Sequence, residues 1–283
     1  MATIIDGKKI AEQIKDKIKD TMSYRRLLCN KIRTLAVIQV GNDQASSTYV
    51  RNKIKACEYV GINSVSYKLN ENISQEELIN VINKLNDDTN ISGILIQLPL
   101  PEHIDEYAII NSISPDKDVD CFHPENVGAL TIGNIDKYSF LPCTAAGIVE
   151  LLKRSNIEIK GKHCVIIGRS NIVGKPLASL MLRENATVTI AHSKSESLQA
   201  ICKSADILVV AIGKERYITS QYVRPGAVVI DVGINVNPKD GKLYGDVDFN
   251  SVEPIARAIT PVPGGVGPMT IAMLMNNCCK MYG

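Results

Sequence analysis

Of the 283 residues in the chain, 45% are hydrophobic and 22% are charged, which is an ordinary composition for a globular protein. The length leaves room for about two domains. Because 32 basic residues are offset by 30 acidic ones and no basic block occurs, a nucleic-acid partner is not expected. The N-terminal segment becomes charged within a few residues, no apolar run approaches the roughly 20 residues of a membrane helix, and the cysteines lack metal-ligand spacing. These features predict a cytoplasmic protein with reduced, mostly buried thiols, no metal site and no membrane partner.

The first half of the chain alternates helices with strands. Isoleucines spaced four apart predict an amphipathic helix near the N-terminus, and Ser74 with Glu77 forms a capping box. In order, the predicted elements are a helix at 6–22, a strand at 34–40, a helix at 44–60, a strand at 64–69, a helix after Ser74, a strand at 91–98, a short helix at 104–110 and a polar loop at 114–126. Such alternation predicts parallel βαβ units.

The second half continues the pattern after a helix that we expect to lead into a second domain. In order, the predicted elements are that helix at 142–153, a strand at 164–167, a helix from 173, strands at 187–191, 207–211 and 227–232, and a proline/glycine loop that opens a final helix at 268 or 269. The domain boundary falls between 140 and 161.

The segment GKHCVIIGRSNIVGKP, residues 161–176, combines a strand, a glycine turn and a helix. This arrangement directs backbone N–H groups and the positive end of the helix dipole at a phosphate. Gly168 permits the sharp turn, and Gly174 lets the helix lie close to the strand. Ser170 replaces the second glycine of the dinucleotide fingerprint, so an ordinary strand-to-helix turn is the alternative.

The end of the next strand bears on the choice of dinucleotide. There the chain carries His192, Ser193 and Lys194, and no carboxylate occurs before Glu196. A cation and hydroxyl donors suit the additional phosphate of NADP, which an acidic side chain would repel. The sequence therefore favours NADP, with NAD possible and a solvated turn as the alternative.

Tyr49 and Lys53 stand four residues apart on a predicted helix, so the phenol and the ammonium share a face. A lysine beside a phenol in a poorly hydrated cleft can exchange protons near neutrality. An exposed helix face is the alternative. The same spacing marks short-chain dehydrogenases, but there it follows the glycine turn within one domain, whereas here it lies far upstream of that turn.

Three further segments carry groups suited to a flat polar ligand. Gln97 is a lone amide at the carboxyl end of an apolar strand, where α/β sheets place ligands, although bonding to nearby backbone is the alternative. Asp118 and Asp120 flank a valine and can accept paired N–H donors, or they form a solvated acidic loop. The glycines of 263–267 permit close backbone approach to a ligand, or they simply make a turn.

Six segments together resemble the bifunctional methylenetetrahydrofolate dehydrogenase/methenyltetrahydrofolate cyclohydrolase family. In family order they are SSTYVRNKIKACEYVGI, GILIQLPLP, DKDVD, GRSNIVGKP, IDVGIN and TPVPGGVGPMT, which span Ser46 to Thr270. The resemblance implies an α/β fold with an N-terminal catalytic, folate-binding domain at 1–143 and a Rossmann-type NADP-binding domain at 144–267. It also implies a cleft between the two domains, a final helix, 268–283, that packs back on the first domain, and a homodimer.

The same resemblance implies oxidation of 5,10-methylenetetrahydrofolate with NADP and hydrolysis of the product to 10-formyltetrahydrofolate, which supplies one-carbon units for purine and related biosynthesis. Lys53 is then central to the cyclohydrolase step, Tyr49 lies against the folate, Gln97 tunes the lysine and Asp120 holds the pterin ring. The other implied folate contacts are Leu98, Pro263, Gly264, Gly265 and Gly267. The implied nucleotide contacts are Gly168, Arg169, Ser170, Ser193 and Ile234.

Two positions depart from the family pattern. Cys121 replaces the usual glycine after Asp120, which can shift the loop if the position requires a positive φ. Ala145 replaces a common proline near the start of the bridging helix. Two other functions compete: a shikimate-type dehydrogenase, for which only Arg33 or Arg51 could clamp a carboxylate, and a nucleotide-sensing module, which would have no use for the lysine, glutamine and aspartate together.

Overall fold

The computed structural model describes residues 1–28, 34–136, 139–238 and 240–281. The chain forms two compact units. The small-sheet unit comprises Gln13–Cys143 with Ile271–Gly283, and the large-sheet unit comprises Met1–Glu12 with Thr144–Thr270. Arg33, one of the two residues considered as a carboxylate clamp, lies outside the described residues.

The elements alternate along the chain as the sequence predicts. The strands are β1 (Thr3–Ile4), β2 (Thr34–Val40), β3 (Asn63–Leu69), β4 (Ile91–Ile96), β5 (His163–Ile167), β6 (Thr187–Ala191), β7 (Ile207–Val210), β8 (Val228–Asp231), β9 (Asn235–Val236), β10 (Leu243–Tyr244) and β11 (Ala258–Ile259). The α-helices are α1 (Gly7–Leu28), α2 (Gln44–Val60), α3 (Gln75–Asp87), α4 (Glu106–Ser112), α5 (Pro124–Ile132), α6 (Cys143–Arg154), α7 (Gly174–Arg183), α8 (Leu198–Lys203), α9 (Phe249–Val252) and α10 (Val266–Lys280).

The small-sheet unit is built on a parallel sheet in the order β3-β2-β4. β2 is an apolar run that is buried along nearly its whole length, as expected for a central strand covered on both faces. Asp43 caps the first turn of α2 by accepting from the Ser46 N–H, and Gly61 ends the helix in the left-handed region with φ 82°. The predicted capping box of Ser74 and Glu77 is confirmed at the start of α3.

The large-sheet unit has six parallel strands in the order β1-β11-β8-β7-β5-β6. Its central strands are buried from end to end, so apolar side chains cover both faces. The sequence placed residues 1–143 in one domain, whereas Met1–Glu12 belongs to this unit. The reason is that Thr3 and Ile4 pair with Ala258 and Ile259 at the sheet edge.

Two local predictions differ from the structure. The predicted polar loop at 114–126 contains a short 3-10 helix, Pro115–Lys117, and its end enters α5. α5 has proline at its first position and Gly133 after its last, with φ 79°. The predicted helix at 6–22 continues to Leu28, and the final helix begins at Val266 rather than at 268 or 269.

Candidate active site

The Lys53 side chain lies buried beside the end of β4. Its Nζ donates to Gln97 Oε1 at 3.2 Å, and the Gln97 Nε2 donates to the Leu98 carbonyl at 2.7 Å. The backbone N–H of Gln97 also donates to the Ile38 carbonyl, which extends the sheet by one residue. One end of the Gln97 amide is therefore held by nearby backbone, and the other end faces the lysine. An ammonium has three N–H donors, so two remain for a ligand.

Tyr49 occupies the preceding turn of α2, one helical turn from Lys53. Its side chain is half-buried, whereas Lys53 retains only 9% of its exposure. Burial raises the pKa of Tyr49 above its usual value, so the phenol is neutral at physiological pH. It can pack against a ring and donate one hydrogen bond, but it does not act as a base.

The two aspartates of the DKDVD segment have different environments. Asp118 is 2% exposed and accepts from the His123 N–H at 2.7 Å and from Asn126 Nδ2 at 3.2 Å. Burial raises its pKa despite these bonds. The Asp118 carboxylate is therefore used in hydrogen bonds within its own loop. Asp120, which is 8% exposed, is the carboxylate of the pair that could bind a ligand.

Two buried thiols lie within the electrostatic influence of both Asp120 and Lys53. Burial raises the pKa of Cys143 and of Cys278 well above the usual value, and both thiols also experience the charges of Asp120 and Lys53. Asp120 lines the same cavity as Leu98, which follows the Gln97 that bonds Lys53. Asp120 therefore lies near the Lys53–Gln97 pair in the small-sheet unit.

The glycine turn after β5 has the close packing that its sequence predicts. Gly168 has φ 124°, and a Cβ there would lie 2.2 Å from the Ala211 carbonyl oxygen. A Cβ on Gly174 would lie 2.1 Å from the Gly168 oxygen. The Ser170 hydroxyl accepts from the N–H groups of Val173 and Gly174 at 3.1 and 3.4 Å. Two donors at the start of α7 thus already have a partner within the protein, which differs from a turn with three glycines.

Polar groups suited to a nucleotide phosphate meet at the carboxyl ends of β5 and β6. These strands are adjacent and parallel, with Ile167 paired with Ala191, so Arg169 and Ser193 follow neighbouring strand ends. The side chains of Arg169, Ser193 and Lys194 are exposed there. Two cations and a hydroxyl at one edge fit the additional phosphate of NADP.

Ile234, the remaining predicted nucleotide contact, follows β8 in a loop held by two buried carboxylates. Asp231 accepts from the N–H groups of Gly233, Asp246 and Val247, and Asp246 accepts from those of Ile212, Gly213 and Lys214, at distances of 2.7 to 3.0 Å. Ile234 remains 42% exposed at the tip. Sequence analysis missed both aspartates, although each has a glycine within two residues, in IDVG and GDVD. A Cβ on Gly233 would collide with Asp246, and one on Gly245 would collide with Asp231.

The glycine loop at 263–267 belongs to the large-sheet unit. The Gly264 carbonyl, at a residue with φ 110°, accepts from the Lys8 N–H at 2.9 Å. A Cβ on Gly7 would lie 1.9 Å from the Gly265 oxygen, and one on Gly267 would lie 3.6 Å from Ile234 Cδ1. The structure therefore brings Pro263–Gly267 near Ile234 in one unit, and it brings Tyr49, Lys53, Gln97, Leu98 and Asp120 together in the other.

A parallel sheet with a glycine turn and a cationic strand edge, together with a second unit that buries a lysine–amide pair, defines a two-domain dinucleotide-dependent enzyme. In the described part of the chain no cluster of three or more His, Cys, Asp or Glu side chains could hold a metal ion. None of the described helices is long and apolar enough to cross a membrane.

Comparison with protein families identifies the enzyme class. The model of the tetrahydrofolate dehydrogenase/cyclohydrolase catalytic domain matches residues 5–120, and that of the NAD(P)-binding domain of the same family matches residues 142–283. The chain belongs to the tetrahydrofolate dehydrogenase/cyclohydrolase family.

Individual relatives agree over the full length. The bifunctional protein FolD of Agathobacter rectalis is 62% identical over 281 residues, with 99% of each chain covered. The crystal structure of the bifunctional methylenetetrahydrofolate dehydrogenase/cyclohydrolase of Campylobacter jejuni is 48% identical with a TM-score of 0.95, covering 100% of this chain and 99% of that one. The Trypanosoma brucei enzyme, solved with NADP and an inhibitor, is 38% identical with a TM-score of 0.94, covering 99% and 97%.

These comparisons confirm the predicted family, the two-domain α/β fold class and the enzyme class, an NADP-dependent methylenetetrahydrofolate dehydrogenase and methenyltetrahydrofolate cyclohydrolase. The competing shikimate-type interpretation is not supported at the level of sequence. The shikimate dehydrogenase of Listeria monocytogenes, 13% identical with a TM-score of 0.51 and 87% and 91% of the two chains covered, shares the fold alone.

Proposed function

We propose that Lys53, Gln97, Tyr49 and Asp120 form the folate site at which this chain performs both steps. The observation that carries the proposal is the buried contact of 3.2 Å between Lys53 Nζ and Gln97 Oε1. A buried ammonium with a neutral partner is costly to maintain for stability alone, because burial penalises an uncompensated charge. A buried ammonium whose partner is a neutral amide fits a binding and proton-transfer site.

The oxidation step requires alignment more than acid–base chemistry. NADP supplies the acceptor for the hydride that leaves the methylene carbon, and the adjacent folate nitrogen stabilises the resulting cation, so no protein acid is needed. The residues of this chain that fit NADP are Gly168, Arg169, Ser170, Ser193 and Ile234. Their role is to hold the dinucleotide, with Arg169 and Ser193 at the cationic strand edge.

The hydrolytic step requires a proton to move. Water adds to the methenyl carbon with loss of one proton. The hydroxyl of this adduct then loses its proton as the formyl C=O forms, and the bond from that carbon to N5 breaks as N5 gains a proton. The overall step consumes one water and releases one proton. Lys53 has two N–H groups left after its bond to Gln97, so it can donate to the departing nitrogen.

Asp120 and the remaining residues orient the folate. A carboxylate can accept two parallel N–H donors, which a pterin offers through its amine and ring nitrogen. Tyr49, neutral because burial raises its pKa, supplies a ring surface on the same helix face as Lys53. The backbone beside Leu98 is held by the Gln97 amide, and Pro263, Gly264, Gly265 and Gly267 offer backbone that a flat ligand can approach.

Replacement of Lys53 tests the assignment. We expect Lys53→Met to lower the cyclohydrolase rate by at least about 100-fold, as expected for loss of a general acid, and to leave the dissociation constant for NADP unchanged. Cyclohydrolase activity follows from the decay of methenyltetrahydrofolate absorbance, and NADP binding from calorimetry. Lys55→Met is the matched control, since Lys55 is exposed on the same helix. Full cyclohydrolase turnover in Lys53→Met would remove Lys53 from this role.

A homodimer is the proposed assembly. β6 forms an edge of the six-stranded sheet, and Ile190 on this strand is 37% exposed, while Leu182 on the neighbouring α7 is 59% exposed. An apolar sheet edge is a common surface for pairing two copies about a two-fold axis. Light scattering should give a dimer for the native chain and a monomer for Ile190→Lys; a monomeric native chain at micromolar concentration would reject the proposal.

We also propose a cytosolic location. The described cysteines are free, and all of them except Cys279 are buried. Free thiols in such number fit a reducing compartment. The reduced thiols remain a prediction, and a fluorescent fusion of the full chain would test the location.

A further inference from the structure

We infer that Asn277 is a positioning residue for Asp120 and that it acts through the Val119 peptide; this inference rests on the proposed role of Asp120 in folate binding. Asn277 lies on α10, far from the DKDVD segment in sequence, and its side chain is 1% exposed. A buried amide must find partners for its donors and its acceptor. The identity of those partners shows what the side chain does.

The Asn277 amide joins two backbone segments of the small-sheet unit. Nδ2 donates to the Val119 carbonyl at 2.9 Å and to the Leu141 carbonyl at 2.8 Å, and Oδ1 accepts from the Leu141 N–H at 3.4 Å. The Cys143 thiol also donates to the Val119 carbonyl, at 3.6 Å. Both donors and the acceptor of Asn277 are therefore used on backbone, and Val119 receives two of these bonds in all.

The carbonyl of Val119 belongs to the peptide that enters Asp120. Because a peptide is planar, holding its oxygen fixes the direction of the Asp120 N–H and restricts the ψ of Val119. The backbone that carries the Asp120 carboxylate is thereby held in place. If the Asp120 carboxylate shifted by a fraction of an ångström, it would lose the geometry needed to accept two parallel hydrogen bonds from a pterin.

The same loop is held independently on its other side. The Asp118 carboxylate accepts from His123 and Asn126, and the Cys121 N–H donates to the Asp118 carbonyl at 3.1 Å. These bonds shape the turn after Asp120 but do not involve the Val119 carbonyl, which accepts from Asn277 at 2.9 Å and, over a longer distance, from the Cys143 thiol. Loss of the Asn277 amide should therefore misplace Asp120 without dismantling the loop.

The test measures binding of tetrahydrofolate and of NADP by calorimetry to the full chain. Asn277→Asp replaces the donors with an acceptor facing two carbonyl oxygens, and Asn277→Ser removes the amide without adding charge, should the first variant fail to fold. We expect the dissociation constant for tetrahydrofolate to rise by about 10- to 100-fold and that for NADP to stay within about twofold. Asn276→Asp, one residue earlier and half-buried, should leave both constants within about twofold.

The Asp120→Asn background separates positioning from general destabilisation. If Asn277 acts through Asp120, its replacement should no longer weaken tetrahydrofolate binding once the carboxylate is absent. An equal loss in both backgrounds, or a parallel loss of NADP binding, would overturn the inference. If Asp120→Asn weakens binding and Asn277 variants do not, the inference alone is rejected. If Asp120→Asn has no effect, the proposed role of Asp120 is rejected, and the inference with it.

Discussion

Cys121 offers a test of backbone strain in the loop that carries Asp120. It has φ 61°, in the left-handed region, and its side chain is fully buried with Sγ donating to the Phe140 carbonyl at 3.4 Å. A residue with a Cβ is disfavoured there, and glycine is not. Comparing Cys121→Ala with Cys121→Gly isolates this strain, because both variants lose the same buried sulfur.

The magnitude follows from two opposing effects. Removing the Cβ from a left-handed position relieves about 1–2 kcal/mol, while glycine adds about 0.5–1 kcal/mol of unfolded-state entropy. We therefore expect the glycine variant to have the larger free energy of unfolding, by about 0.8 kcal/mol from the middle of the two ranges and by about 1.5 kcal/mol at most. Both variants should lie below the native chain, because each loses a buried side-chain atom and its hydrogen bond.

Cys164 provides the matched control, since it is equally buried but lies in β5, where the backbone is extended. There Cys164→Gly should be less stable than Cys164→Ala, by about 0.5–1 kcal/mol. Urea unfolding followed by circular dichroism gives the four values, with equal slopes required for the comparison. The same order of Ala and Gly at both positions would refute the strain at Cys121.

Three further predictions concern titration, cofactor choice and helix capping. Burial raises the pKa of Asp231 to about 7 from 3.8, so the carboxyl ionises at a lower pH in the unfolded chain than in the folded one. The free energy of unfolding should therefore fall by about 1.4 kcal/mol per pH unit between pH 5 and 7. Urea unfolding at several pH values should show a smaller pH dependence for Asp231→Asn, and an unchanged dependence would contradict the assignment. Arg169→Ala should raise the KM for NADP by about 10-fold and leave that for NAD unchanged in dehydrogenase assays, and equal effects on both would exclude a contact with the additional phosphate. Lys117 Nζ donates to three carbonyls at the end of α3, so Lys117→Met should lower the free energy of unfolding by about 1–3 kcal/mol, whereas Lys84→Met, exposed on the same helix, should not.

Local patterns predicted the elements whose cause is local. The capping box of Ser74 and Glu77, the strand at 187–191 and the helix at 44–60 each depend on residues within a few positions of one another. The start of α5 had such a signal too, a proline after His123, whose ring nitrogen accepts from the Glu125 N–H. It was overlooked because the acidic run before it resembles a solvated loop.

Other features have no local cause. β1 has only two residues, and it exists because Thr3 pairs with Ala258 at the opposite end of the chain. The local sequence also does not distinguish the environments of Asp118 and Asp120, because both are acids beside the same valine. Burial and the neighbouring donors decide which of the two serves the loop, and these depend on α5 and on α10.

Gln97 shows why the type of residue at a site can be predicted before its geometry. An amide is a donor at one end and an acceptor at the other. Anchoring Nε2 on the Leu98 carbonyl turns Oε1 toward Lys53, so the orientation follows from the adjacent backbone. A glutamate at this position would have no donor for that carbonyl, and its charge would hold the ammonium as an ion pair and oppose release of the proton. A leucine would leave the buried ammonium without a partner. A neutral acceptor satisfies the lysine without binding its proton too firmly, which is what a residue that gives a proton to a departing nitrogen requires.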